Sequence, residues 1–170
     1  MQISIADPAD APDLANLINS AYRGEASKKG WTSEADLFEG SIRIDLVGIE
    51  ELLNSSDAVI LKYSHVNQNA AGCVYLQRQS DIMYLGLLAV APSLQAKGIG
   101  KQLLDAALDY ALGWNCKAVQ MNVISIRHEL IAWYERHGFL RTGESRPFPN
   151  KNRFGAPKED LDFVVLQKAI

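Results

Sequence analysis

The stretch from Ile82 to Leu112 constrains the fold more than any other part of the sequence. An apolar, β-rich run from Ile82 to Val90 is halted at Pro92, which has no N–H to give to a ladder. A polar loop from Ser93 to Lys97 follows. Apolar residues then recur at Ile99, Leu103, Leu104, Ala107, Leu108, Ala111 and Leu112, which is one face of an amphipathic helix, with Gly113 placed to end it. Gly98 and Gly100 fall in the first turn, where two glycines let a ligand approach the backbone closely. The unpaired N–H groups of that turn and the helix macrodipole form an anion site suited to a pyrophosphate, and Lys97 and Lys101 add positive charge. Taken alone, the two glycines serve equally well to shape a tight turn into a surface helix.

Two other phosphate motifs fail on spacing. A P-loop needs Gly at 95 and Ser or Thr at 102, but Gln95 and Gln102 stand there. A dinucleotide fingerprint needs a third glycine at 103, where the residue is Leu103.

The remaining pattern alternates strands and helices. Residues 2 to 6 read as a strand, and Leu14, Leu17, Ile18, Ala21 and Tyr22 as a helix face. Between Arg23 and Asn54 the pattern is less regular, with helical pieces suggested by Leu37, Ile42, Leu46, Ile49, Leu52 and Leu53. Ala58 to Tyr63, Gly72 to Gln77 and Ile82 to Val90 predict an antiparallel meander. Ala118 to Ile124 predicts a strand and Arg127 to Arg136 a helix, closed by Gly138 in a left-handed cap. Phe139 begins another strand and Asp160 to Gln167 the last, joined by a loop, Pro147 to Gly155, long enough to be functional.

Composition bounds the rest. A chain of 170 residues with 48% apolar content can bury one substantial core, so a single domain over 1–170 is expected. A net charge of -3 lacks the basic excess that nucleic-acid binding requires. Cys73 and Cys116 predict free thiols in a reducing, cytoplasmic setting. No signal-like start and no run of 18 apolar residues is present, so no membrane partner is expected.

Leu88-Ala89-Val90-Ala91-Pro92 followed by Gln95-Ala96-Lys97-Gly98-Ile99-Gly100-Lys101 resembles the acyl-CoA motif of the GCN5-related N-acetyltransferases, a Gln/Arg-x-x-Gly-x-Gly/Ala loop after a β-strand. Downstream, Trp133-Tyr134-Glu135-Arg136-His137-Gly138-Phe139 resembles the second motif of that family. The resemblance implies an α/β (α+β) fold: a mixed, mostly antiparallel sheet of six or seven strands flanked by about four helices and splayed at the acetyl-CoA site. It implies an acyltransferase with acetyl-CoA as co-substrate and no metal. Backbone groups at Leu88, Ala89 and Val90 would hold the pantetheine arm and polarise the thioester carbonyl, and amides from Gln95 to Lys101, with Ala96, Lys97, Gly98, Ile99 and Gly100 between them, would hold the pyrophosphate. Tyr134 matches the tyrosine that protonates the departing thiolate, or else packs beside Trp133.

The match departs from the family in three places. Arg127 stands where the family often has Asn; it either reaches a CoA phosphate or is solvated. Leu130 replaces the usual Ala, and the strand Met83 to Leu88 carries no glutamate to serve as base. Glu34, Asp36, His65 and His128 are the remaining candidates for a base. The acceptor region is expected from Arg23 to Leu46 and Pro147 to Pro157, with Tyr22, Trp31, Phe148 and Phe154 as walls; Glu25, Glu34, Asp36 and Glu39 either attract a cation there or are ordinary surface carboxylates. The acceptor expected first is a small amine-bearing metabolite. A protein Lys or N-terminal amine is the alternative, as is a non-catalytic acetyl-CoA-binding module. A homodimer is a family-level expectation.

Overall fold

A computed structural model describes residues 2–149 and 155–170. Seven strands form one sheet: β1 (Gln2–Ile5), β2 (Ala58–Ser64), β3 (Gly72–Gln79), β4 (Ile82–Val90), β5 (Ala118–Ile124), β6 (Leu140–Pro147) and β7 (Asp162–Ala169). Their spatial order is β1-β2-β3-β4-β5-β7-β6, and every neighbouring pair is antiparallel except β4 with β5. The helices are α1 (Ala11–Tyr22), the single turn α2 (Gly24–Ser27), α3 (Leu46–Leu53), α4 (Ile99–Gly113) and α5 (His128–Arg136).

Helices cover both faces of the sheet, as the period of their apolar residues requires. Leu14, Ile18 and Ala21 of α1 and Ile49 of α3 pack on Ile60, Cys73, Tyr75 and Ala89. On the other face, Leu103, Leu104 and Ala107 of α4 and Ile131 of α5 pack on Val74, Leu76, Met83, Val119 and Met121. Leu103, Leu104, Ile131 and Phe139 are at most 1% exposed, and each such side chain contributes about 1.5–3 kcal/mol by leaving water.

Helix ends follow local chemistry. Asp45 caps α3 by accepting from the Gly48 N–H at 2.7 Å. α4 ends at Gly113, where that glycine was expected to stop it. The left-handed residue is Asn115 (φ 57°), with Cys116 N–H donating to the Ala111 carbonyl and Asn115 N–H to Leu112, a Schellman ending built on asparagine. After α5, Gly138 does take the left-handed conformation (φ 89°). The irregular region after α1 resolves into α2, a loop and α3. That loop is zipped to the chain before β7 by an isolated bridge between Phe38 and Pro157 and by Lys158 N–H donating to the Leu37 carbonyl at 2.9 Å.

Candidate active site

The sheet opens at its centre. β4 and β5 pair only from Ile82–Tyr84 to Ala118–Gln120, although the strands continue to Val90 and Ile124. Beyond Tyr84 they diverge, and the resulting cleft is lined by Leu85 to Leu88 on one side and Met121 to Ile124 on the other. On its other edge β4 carries a bulge: Cys73 pairs with Ala89 and Tyr75 with Gly86, so Leu87 and Leu88 face the single residue Val74 and neither has a ladder partner. Leu87 is left-handed (φ 48°), an unfavourable conformation for a branched apolar side chain. The bulge therefore turns the peptide at Leu87–Leu88 out of the ladder at the mouth of the gap.

The glycine loop forms one wall of a cleft of about 420 Å³, together with Trp31, Thr32, Leu130 and Trp133. Ala96 (φ 59°) and Gly98 (φ 85°) are both left-handed. The first helical bond of α4 runs from Gln102 N–H to the Gly98 carbonyl at 3.1 Å, and no N–H from Gln95 to Lys101 donates to an acceptor among the described residues. Seven consecutive free amides at a helix start make an anion site without any dependence on side-chain charge. Lys97 and Gly98 are exposed, Lys101 is tied to Asp105 at 2.5 Å, and Ile99 is buried in the core, so only its backbone faces this role. A Cβ on Gly100 would lie 3.6 Å from the Trp133 ring, which leaves room for a methyl group and little more.

Gln95 has a second task. Its side chain accepts from Trp31 N–H at 2.8 Å and donates to Thr32 Oγ1 and the Val90 carbonyl at 3.0 Å each, clamping the 30–32 loop to the end of β4. A Cβ on Gly30 would sit 2.4 Å from Gln95 Oε1, so a side chain there would push the Gln95 clamp aside.

A second cavity, of about 380 Å³, lies across the gap. Phe38 and Phe148 wall it, with ring centroids 5.3 Å apart. Among the described residues its charges are Arg23, Arg43 and Arg127 against the single carboxylate of Glu34. Glu34 Oε2 accepts from Arg23 Nε at 3.2 Å, and Arg127 lies 3.5 Å from Oε1. The Arg23 side chain is 2% exposed and stacks over Phe38 with its guanidinium carbon 3.8 Å from the ring centroid. Burial pulls its pKa below the usual arginine value, and Glu34 pushes it back up. Arg43 makes no hydrogen bond or ion pair with its side chain among the described residues.

The two cavities share Tyr22, Leu88, Leu130 and Tyr134. Tyr22, at the end of α1, donates its hydroxyl proton to the Leu88 carbonyl on the bulge. Tyr134 is held edge-on by Trp133 and Phe139, with centroids at 5.0 and 5.7 Å. Its hydroxyl has no hydrogen bond to a described residue, and no buried side-chain polar atom lacks a partner, so that oxygen opens to the cavity. Burial pushes both phenols above their ordinary pKa, for Tyr22 with Glu34 adding to the effect and for Tyr134 with Tyr22 doing so.

Against the sequence expectations, Leu88, Val90 and the segment from Gln95 to Lys101 come together with Tyr134, as the two motifs imply. Ala89 is 2% exposed, packs beneath α1 and lines neither cavity. Arg127 lies in the cavity away from the glycine loop, not beside the amides that would hold a phosphate. The acidic residues do not make a cation trap. Glu25 pairs with Lys28 on the surface, Asp36 and Glu39 are exposed, and Glu34 is consumed by two arginines. His65 belongs to a distant hollow near Gln2, and His128 is exposed. Trp31 lines the glycine-loop cleft rather than the other cavity; Phe154 lies outside the described residues. Arg43, the Arg23–Glu34 pair and the side-chain clamp of Gln95 were not anticipated. They join positions 11 to 64 residues apart, and no local periodicity announces such pairs.

Among the described residues, no helix is long and apolar enough to cross a membrane and no group of three metal-ligating side chains occurs. No curated protein matches the sequence. Solved structures share the fold at low identity. The ribosomal-protein-alanine N-acetyltransferase of Brucella melitensis is 18% identical with a TM-score of 0.74, covering 100% of both chains. The ribosomal-protein-S18-alanine N-acetyltransferase of Escherichia coli is 17% identical with a TM-score of 0.72, over 99% of this chain and 93% of that one. A chimeric spermidine N-acetyltransferase from Vibrio cholerae and hSSAT is 16% identical with a TM-score of 0.67, over 99% and 96%. The model of the acetyltransferase (GNAT) family matches residues 14–139, a span that holds the bulge, the glycine loop and Tyr134, and the chain belongs to that family.

Proposed function

We propose that the protein transfers an acetyl group from acetyl-CoA to the primary amine of a small metabolite, by direct attack in a ternary complex. The observation that carries this reading is the meeting of two cavities at Leu88 and Tyr134, one walled by free loop amides and the other enclosed by aromatic and charged side chains. The volume of about 380 Å³ on the acceptor side falls in the range of small-molecule sites. In this reading the amides from Gln95 to Lys101 hold the pyrophosphate and the pantetheine arm runs along β4. The thioester carbonyl then lies beside the bulge peptide, whose N–H stabilises the developing oxyanion.

The amine lone pair attacks the carbonyl carbon, the C–N bond forms, and the C–S bond breaks as the tetrahedral intermediate collapses. Tyr134 gives its proton to the departing thiolate and is reprotonated from solvent. The amine must arrive neutral, since the one carboxylate among the described residues of the acceptor cavity, Glu34, is neutralised by arginines; the amine's proton leaves to water after attack. The test is thiol release with acetyl-CoA against a panel of small amines and of peptides, with the acetylated product identified by mass. Turnover of small amines with kcat/KM above that of peptides is expected. Turnover confined to peptides would move the acceptor to proteins, and acetyl-CoA binding without turnover of any amine would leave a binding module.

A further inference from the structure

We propose that the acceptor carries an anionic group, a carboxylate or a phosphate, beside its amine, and that Arg43 and Arg127 bind it. This rests on the acetyltransferase reading and deepens it. Among the described residues the acceptor cavity is lined by three guanidinium groups and one carboxylate, although the chain as a whole has a net charge of -3. Arg23 is spent on structure, between Glu34, the Ile42 carbonyl and the face of Phe38. Arg127 is only 10% exposed and keeps a single long contact to Glu34, so most of its five donors remain to be used. Arg43 has none of its donors used by a described residue.

The presentation of Arg43 is built into the backbone. Asn19 Oδ1 accepts from the N–H groups of Arg43 and Ile44 at 2.6 and 3.0 Å, and Asn19 Nδ2 donates to the Ile44 carbonyl at 2.8 Å. With Ile44 buried in the α1 core, residues 43 and 44 are fixed to α1, and the Arg43 side chain lines the cavity without a structural duty of its own. A half-buried guanidinium with no partner among the described residues shares this cavity with a second, partly buried one, an arrangement that an anion bound between them relieves, and a carboxylate or phosphate fits that need. Arg127, the N-cap of α5, precedes Tyr134 by seven residues, about 10 Å of helical rise, so one small molecule can place its anion at the arginines and its amine at the acetyl carbon. Polyamines and other cationic amines are then disfavoured by the same charges.

The experiment compares matched acceptors by thiol release: α-amino acids and ω-amino acids against their carboxamides, and aminoalkyl phosphates against the parent amino alcohols. A charge-assisted pair predicts a kcat/KM ratio of about 10- to 100-fold for the anionic member. The ratio falls toward one in Arg43→Gln and persists in Lys117→Gln, which removes the same charge from an exposed site outside the cavity. Whichever anionic series shows the preference identifies the group. A ratio near one in the wild type, a preference for neutral or cationic amines, or a ratio unmoved by Arg43→Gln overturns the anion site while leaving the acetyltransferase reading intact. If no amine is turned over, that reading fails, and calorimetry with the same carboxylates and phosphates decides the anion site. Saturable binding lost in Arg43→Gln supports it, and absence of binding overturns it.

Discussion

Replacing Glu34 with Gln separates a structural charge from a catalytic one. Glu34 is 8% exposed and sits between Arg23, with a side chain 2% exposed, and Arg127, with a side chain 10% exposed. Gln keeps the volume and one acceptor oxygen but removes the carboxylate countercharge, so a guanidinium too basic to deprotonate, stacked on Phe38 and bonded to the Ile42 carbonyl, stays buried without it. Breaking one side of a buried pair costs about 3–5 kcal/mol, because the remaining charge stays desolvated. For a domain of this length each kcal/mol lowers Tm by roughly 2–4 °C, so the fall is about 6–20 °C. Chemical denaturation and a thermal scan of Glu34→Gln check this. The double variant Arg23→Met, Glu34→Leu should recover much of the loss, since replacing both partners with apolar groups removes the stranded charge. A loss below about 1 kcal/mol in Glu34→Gln would refute the reasoning, placing the pair among solvent-screened contacts. Normal stability together with abolished turnover would instead make Glu34 the base that the site otherwise lacks.

The remaining expectations concern the transfer itself. Tyr134→Phe should slow turnover by about 10²- to 10⁴-fold with little change in acetyl-CoA affinity, measured by steady-state rates and calorimetry. Gly100→Leu should abolish acetyl-CoA binding in a folded protein, since even a Cβ there is 3.6 Å from Trp133; calorimetry with circular dichroism as the folding control decides it. Burial keeps the Tyr134 proton bound above its ordinary pKa, so a general acid there stays competent through alkaline pH; turnover should rise with pH as the amine deprotonates and should not fall below about pH 10. Cys73 is fully buried with its thiol pushed up to about 12, so mass spectrometry of the protein mixed with acetyl-CoA alone should show no acetylated cysteine there.

What was legible in the sequence is what repeats or punctuates locally. The apolar periods of α1, α4 and α5, the meander of β2 to β4, the stop at Pro92 and the glycine pair at the start of α4 all act over a few residues. Each held to within a residue or two. The glycine pair was ambiguous by itself. It became informative through the free amides of Gln95 to Lys101, which no pattern of residue types displays. The acceptor side stayed open for a related reason. Glu25, Glu34, Asp36 and Glu39 read either as a cation trap or as surface carboxylates, and sequence order does not say that Arg23 and Arg127 converge on Glu34. Nor does it say that Asn19 holds Arg43 at the cavity wall across 24 residues. The Leu87–Leu88 bulge was equally hidden, because one extra residue in an apolar run leaves the run apolar.

The central claim, transfer from acetyl-CoA straight to an amine, is tested most directly by the stoichiometry of released thiol and acetylated product. The two should appear in a one-to-one ratio, and only when acceptor is present. Mass spectrometry during turnover should find the protein itself unmodified. A burst of thiol without amine, matched by a kinetically competent acetyl group on the protein, would contradict direct transfer and replace it with a covalent intermediate.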